Sequence, residues 1–139
     1  MRFFNPDPEA LTLQRINLAA ASLAVADLLT NPQNAMKKSV DIIIHLLTVN
    51  AFRPDASVWE MNAVATLNLI FTGKIAVDLH TTLAPKNGDK TSIAQEMGVG
   101  FVDGGIHMLN HISLISKANA CLNSTRTAKP EERLSHTPR

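Results

Sequence analysis

Residues 92–116 read SIAQEMGVGFVDGGIHMLNHISLIS, and the spacing in this stretch decides the fold. Apolar residues recur at helical intervals with no proline among them, so the run reads as one long helix. It nevertheless holds four of the six glycines of the chain, Gly98, Gly100, Gly104 and Gly105. A glycine inside a helix costs roughly 1 kcal/mol against alanine, so such a cluster calls for a cause: a closely packed neighbour helix, a kink or a ligand. The same helix carries a polar stripe of Glu96, Asp103, His107 and His111.

Working outward, proline and asparagine cut the preceding chain into three more helices. Asp7-Pro8-Glu9 offers an N-cap, a proline at the first helical position and an acid in the first turn, which predicts a helix to about Thr30. Asn31-Pro32 repeats that logic for a second helix ending near Asn50. Asp55 or Ser57 caps a third, to about Leu83, and Ser57 with Glu60 fits the reciprocal capping box. Residues 84–89, APKNGD, form a turn by composition, and Ser92 with Gln95 is a second capping-box candidate that opens the fourth helix, which ends near Asn123. Residues 124–139 hold Leu134 as their one large apolar side chain and are expected to be disordered. The expected fold is therefore all-α: an antiparallel four-helix bundle over residues 1–123, followed by a disordered tail over 124–139. No internal repeat is evident.

A chain of 139 residues suits one domain with one core. Its apolar share of 45% is mostly alanine and aliphatic, with one tryptophan, five phenylalanines and no tyrosine. Thirteen basic side chains nearly balance twelve acidic ones, so no overall field steers the protein to nucleic acid, and few rings are present to stack on bases. Cys121 stands alone, which excludes an internal disulfide framework and fits a reducing, cytoplasmic setting. The apolar run over residues 16–26 is too short to span a bilayer, so no membrane association is expected.

Chemistry has few places to reside. His107 and His111, four apart, lie about 6 Å from one another along a helix and could share one ion. Asp103 lies too far from His111 to join them and would instead orient His107 as a hydrogen-bond acceptor. Asp41 and His45, or Asp78 and His80, are the donors available on other helices. The competing reading makes these residues a solvated stripe, as it does for Lys37, Asp41, His45 and Thr48 on the second helix, with Val40, Ile43, Ile44 and Leu47 turned inward. The run from Ile106 to His111, IHMLNH, resembles the Asn-His stretch of DinB-like metal-binding four-helix proteins, and that resemblance implies a ligand on an earlier helix, near His45. It spans only these residues, and Ile115 stands where that family carries a further histidine.

Gly98-Val99-Gly100-Phe101-Val102-Asp103 falls short of a dinucleotide fingerprint, because Asp103 occupies the third glycine position and no strand precedes it. Gly100 and Gly104 read better as a smooth face for close helix packing. Trp59, in the first turn of the third helix, reads as a plug at the end of a core or as an anchor for a partner. The functional expectation is a non-enzymatic helical interaction protein, a regulator, inhibitor or adaptor. It would act as a homodimer and bind a protein partner through surfaces that include Trp59, Gly100 and Gly104, with no cofactor. The alternative is a metal-binding bundle or metal-dependent hydrolase holding a divalent ion with His45, His107 and His111.

Overall fold

The computed structural model describes residues 2–83 and 90–134, which form four helices: α1 (Pro8–Thr30), α2 (Ala35–Ala51), α3 (Val58–Leu83) and α4 (Lys90–Leu134). The turn expected at residues 84–89 and the last five residues of the chain lie outside the described residues, as does the side chain of Ser92.

Helix starts follow local chemistry. The Asp7 carboxylate accepts from the Ala10 N–H at 2.9 Å, with Pro8 in the first turn. At α3 the capping box forms in both directions: Glu60 N–H donates to Ser57 Oγ (3.1 Å) and Ser57 N–H to Glu60 Oε2 (2.8 Å). Arg53 holds that glutamate at 3.0 Å. Asn31, by contrast, does not open α2. Its backbone N–H closes α1 on the Asp27 carbonyl (2.8 Å), and Asn34 precedes α2 in the left-handed region (φ 56°), which asparagine tolerates.

The helices pack chiefly as two pairs, α1 with α2 and α3 with α4, joined through α2 on α3 and a lighter contact of α1 with α4. Along the first pair the contacts run Gln14 to Val49, Asn17 to His45 and Asp27 to Lys38. Along the second they run Ala65 to His111, Asn68 to His107, Ile75 to Gly104 and Leu79 to Gly100. At one end Ala10, Leu13, Ala51, Phe52, Met61, Val64, Ala65, Leu114 and Ala118 form a core shared by all four helices. A smaller cluster, Ile44, Phe71 and Ile75 with Leu79, joins α2 to α3. Between them lies a layer of fully buried polar side chains: Gln14, Asn17, His45, Thr48, Asn68, His107 and Asn110.

That layer corrects the stripe expected on α2. His45 and Thr48 face inward, while Val40, Ile43 and Leu47 are exposed and only Ile44 of the expected inner set is buried. Helical spacing groups residues onto a face without fixing which face meets water. Here the polar face is inside because every buried side-chain donor and acceptor among the described residues finds a partner there. Trp59 is 77% exposed and plugs nothing. Helix α4 also continues past Asn123 to Leu134, where residues 124–139 were expected to be disordered. The hydroxyls of Ser124, Thr125 and Thr127 bond back to carbonyls of their own helix, and residues 122–128 are exposed. Among the described residues no helix is long and apolar enough to cross a membrane.

Candidate metal centre

Asp41 and His45 lie one turn apart on α2, and Asp103 and His107 one turn apart on α4. One ligand atom from each of the four falls within 4.8 Å of all the others. The His107 Nε2 lies 2.7 Å from Asp41 Oδ1 and 3.6 Å from Asp103 Oδ1; the His45 Nε2 lies 3.1 Å from Asp103 Oδ1 and 3.4 Å from Asp41 Oδ1. Donors bound at about 2.1 Å to one tetrahedral ion stand roughly 3.4 Å apart, so these separations bracket what a single ion requires. The two imidazoles stack with centroids 4.4 Å apart, and Phe71 sets its edge against His107 at 5.0 Å.

Asparagines fix which nitrogen faces the cluster. Asn17 Nδ2 donates to the Leu13 carbonyl (2.8 Å), so its Oδ1 is the atom that meets His45 Nδ1, at 2.7 Å. Asn68 does the same one hairpin later: Nδ2 donates to the Val64 carbonyl (2.9 Å) and Oδ1 meets His107 Nδ1 at 2.7 Å. Both Nδ1 atoms must therefore carry hydrogen and donate, and both Nε2 atoms face the carboxylates, the arrangement that outer hydrogen bonds impose on metal-binding histidines. Asn110 ties the two together, with Nδ2 donating to Asn17 Oδ1 (2.8 Å) and Asn68 Oδ1 (3.2 Å).

Burial by itself would raise the Asp41 pKa, but hydrogen bonds from His107 and His45, and their charge, outweigh it and hold the carboxyl well below its ordinary range. For His45 the signs reverse. Burial works against its charge, yet hydrogen bonds to Asp103 and Asp41 and their attraction lift it to about 9. Without an ion His45 is thus satisfied as an imidazolium against the carboxylates of Asp103 and Asp41, and a cation enters in competition with its Nε2 proton. The histidine side chains are wholly buried, while those of Asp41 and Asp103 are 15% and 24% exposed, so solvent meets the cluster on its carboxylate side.

His45 and His107 thus converge, as the metal alternative requires. His111 does not join them: its Nδ1 donates to the Ala65 carbonyl at 2.8 Å, toward α3. Its place is taken by Asp41, which the sequence offered as an available donor, and by Asp103, which it placed only in an orienting role. His80 is exposed, and Asp78 binds Lys37 (2.6 Å) and Lys74 (3.2 Å). Gly100 lies close against α3, since a Cβ there would come within 2.7 Å of Leu79 Cδ2; at Gly104 it would lie 3.4 Å from Ile75 Cγ2. An apolar groove of about 400 Å³ between α1 and α4, lined by Pro8, Thr12, Leu13, Ile16 and Leu109 among others, contains none of the four donors. The signal that sequence reading passed over is a repeated spacing, Asp41-x-x-x-His45 and Asp103-x-x-x-His107.

Comparison with family models, with curated proteins and with solved structures gives no match.

Proposed function

We propose that the protein is a divalent-metal-binding helical bundle whose ion is held by Asp41, His45, Asp103 and His107. The observation that carries this is the convergence of four ligand atoms with both histidine tautomers fixed by asparagine. A metal-free structural role needs the charges to balance, but it does not need both Nε2 atoms presented to the same pair of carboxylates. Two imidazoles with two carboxylates suit zinc, iron(II), cobalt(II) or manganese(II), and the absence of thiolate disfavours copper(I). When an ion keeps an open position it activates a water or polarises a carbonyl, and the partly exposed carboxylate side is where a water reaches this one.

The test is metal analysis of protein purified without a histidine tag, followed by cobalt(II) titration. The reading expects one equivalent per chain and the visible absorption of a four- or five-coordinate cobalt centre. Less than about a tenth of an equivalent of any transition metal, with no cobalt spectrum, sinks it.

The opposed order of helix contacts supports an antiparallel arrangement of the bundle, and the lone thiol suits a cytoplasmic setting. A second reading, protein binding as a homodimer or on another protein, draws on large apolar side chains left outside, among them Trp59, Ile70, Phe101 and Val102. Light scattering at micromolar concentration tests it, and a strict monomer counts against the homodimer.

A further inference from the structure

We infer that the chain is built from two copies of one helical hairpin, and that the ion site is the junction of two equivalent half-sites, each giving one Asp-x-x-x-His pair and one asparagine. The sequence reading found no repeat, because the echo is short. It consists of Ile16-Asn17-Leu18 against Leu67-Asn68-Leu69, and DIIIHLLT at 41–48 against DGGIHMLN at 103–110. The contacts repeat far more fully than the letters do.

If α1 is matched to α3 and α2 to α4, the polar contacts around the two histidines have counterparts, whereas the donations of Asn110 to Asn17 and Asn68 and the bonds of Gln14 to Phe3 and Asn5 do not. Asn17 donates to the Leu13 carbonyl as Asn68 does to that of Val64. The Oδ1 of Asn17 meets His45 as that of Asn68 meets His107. The second Nδ2 hydrogen crosses between hairpins in both cases, from Asn17 to Asn110 Oδ1 at 2.8 Å and from Asn68 to Thr48 Oγ1 at 2.9 Å. The carboxylates cross as well. Asp41 is nearer to His107 than to His45, and Asp103 is nearer to His45 than to His107. Even the outlying His111 obeys the rule. Its bond to the Ala65 carbonyl joins the positions that Gln14 and the Val49 carbonyl join in the first hairpin, with side chain and backbone exchanging roles.

An ion at the centre would therefore sit on an internal two-fold axis and link copy to copy through α2 and α4; in this respect the inference rests on the metal reading. The decisive positions are Thr48 and Asn110, where the layer departs from symmetry beside the two asparagines that orient the histidines; Gln14, matched to Ala65, departs farther from the cluster. Exchanging them in the full chain should rebuild the same network rotated about the two-fold axis, with the amide now on α2 and the hydroxyl on α4. Thr48→Asn, Asn110→Thr and the double variant are compared with the parent for zinc(II) affinity and melting temperature. Asn110→Thr alone should weaken zinc by about tenfold, as loss of an outer hydrogen bond does, and the double variant should recover most of that loss and of the melting temperature.

A double variant no better than Asn110→Thr, or one that fails to fold, overturns the inference. A parent that binds no zinc overturns the metal reading instead, and the melting temperatures still decide the duplication. As a second check, Asp41→Asn and Asp103→Asn should lower zinc affinity by factors within about threefold of one another, and a disparity above about tenfold counts against equivalent half-sites.

Discussion

Asn17 and Asn68 define the site as much as its ligands do. Each is fully buried and spends its amide hydrogens so that only oxygen is left for histidine. Replacing either by alanine frees an imidazole to turn and strands a buried N–H. Zinc affinity should drop by about 10–100-fold, measured by competition with a chromophoric chelator, and a loss under about threefold would show that packing alone orients the rings. Stability should fall by about 1–3 kcal/mol in the same variants. His111→Ala, outside the cluster, should leave zinc affinity within about threefold of the parent, whereas His107→Ala should abolish tight binding. Sequence named His45 and His107 but paired His107 with His111 and gave Asp103 only an orienting role, where the structure brings in Asp103 and turns His111 away. Helical spacing treats both alike, and the tie is broken by the Ala65 carbonyl on another helix, which takes up His111.

At the level of helices, the starts of α1 and α3 were legible, whereas the start of α2, the end of α4 and the buried face of α2 were not. Caps depend on a few consecutive residues, so Asp7 and the Ser57–Glu60 box could be read directly; the orientation of α2 depends on whether its polar face finds partners on α1, α3 and α4. The glycines of α4 divide in the same way. A Cβ at Gly98 or Gly105 meets nothing within 4 Å, so alanine there should stabilise the protein by up to about 1 kcal/mol, readable as a rise in melting temperature. At Gly100 the Leu79 methyl must move aside for alanine, and Gly100→Leu should cost about 1–3 kcal/mol by overpacking. An unchanged melting temperature in that variant would remove the close-approach explanation. The exposed end of α4 gives a contrasting outcome in hydrogen exchange. Amides from Ser124 onward should exchange well before those around Leu114, which sits in the shared core.

The whole molecule couples an apolar core at one end to a polar layer in the middle, and an ion in that layer acts on the folding equilibrium by mass action. Zinc at 100 times its dissociation constant should stabilise the chain by about 2.7 kcal/mol, a rise in melting temperature on the order of 5–10 °C that a chelator reverses. No shift would mean that the cluster is complete with its protons. The bundle was legible at this scale, whereas the two-hairpin plan was not, because its equivalences join positions far apart in sequence through contacts only the fold creates. The crossing of donors between hairpins carries a topological consequence. A bond from Asp41 to His107 is indifferent to whether both residues belong to one polypeptide. Two chains that open at the link over residues 53–57 and trade one hairpin each would restore every contact, so refolding at high concentration should give a domain-swapped dimer with one ion site per chain. Size-exclusion chromatography before and after refolding would show it.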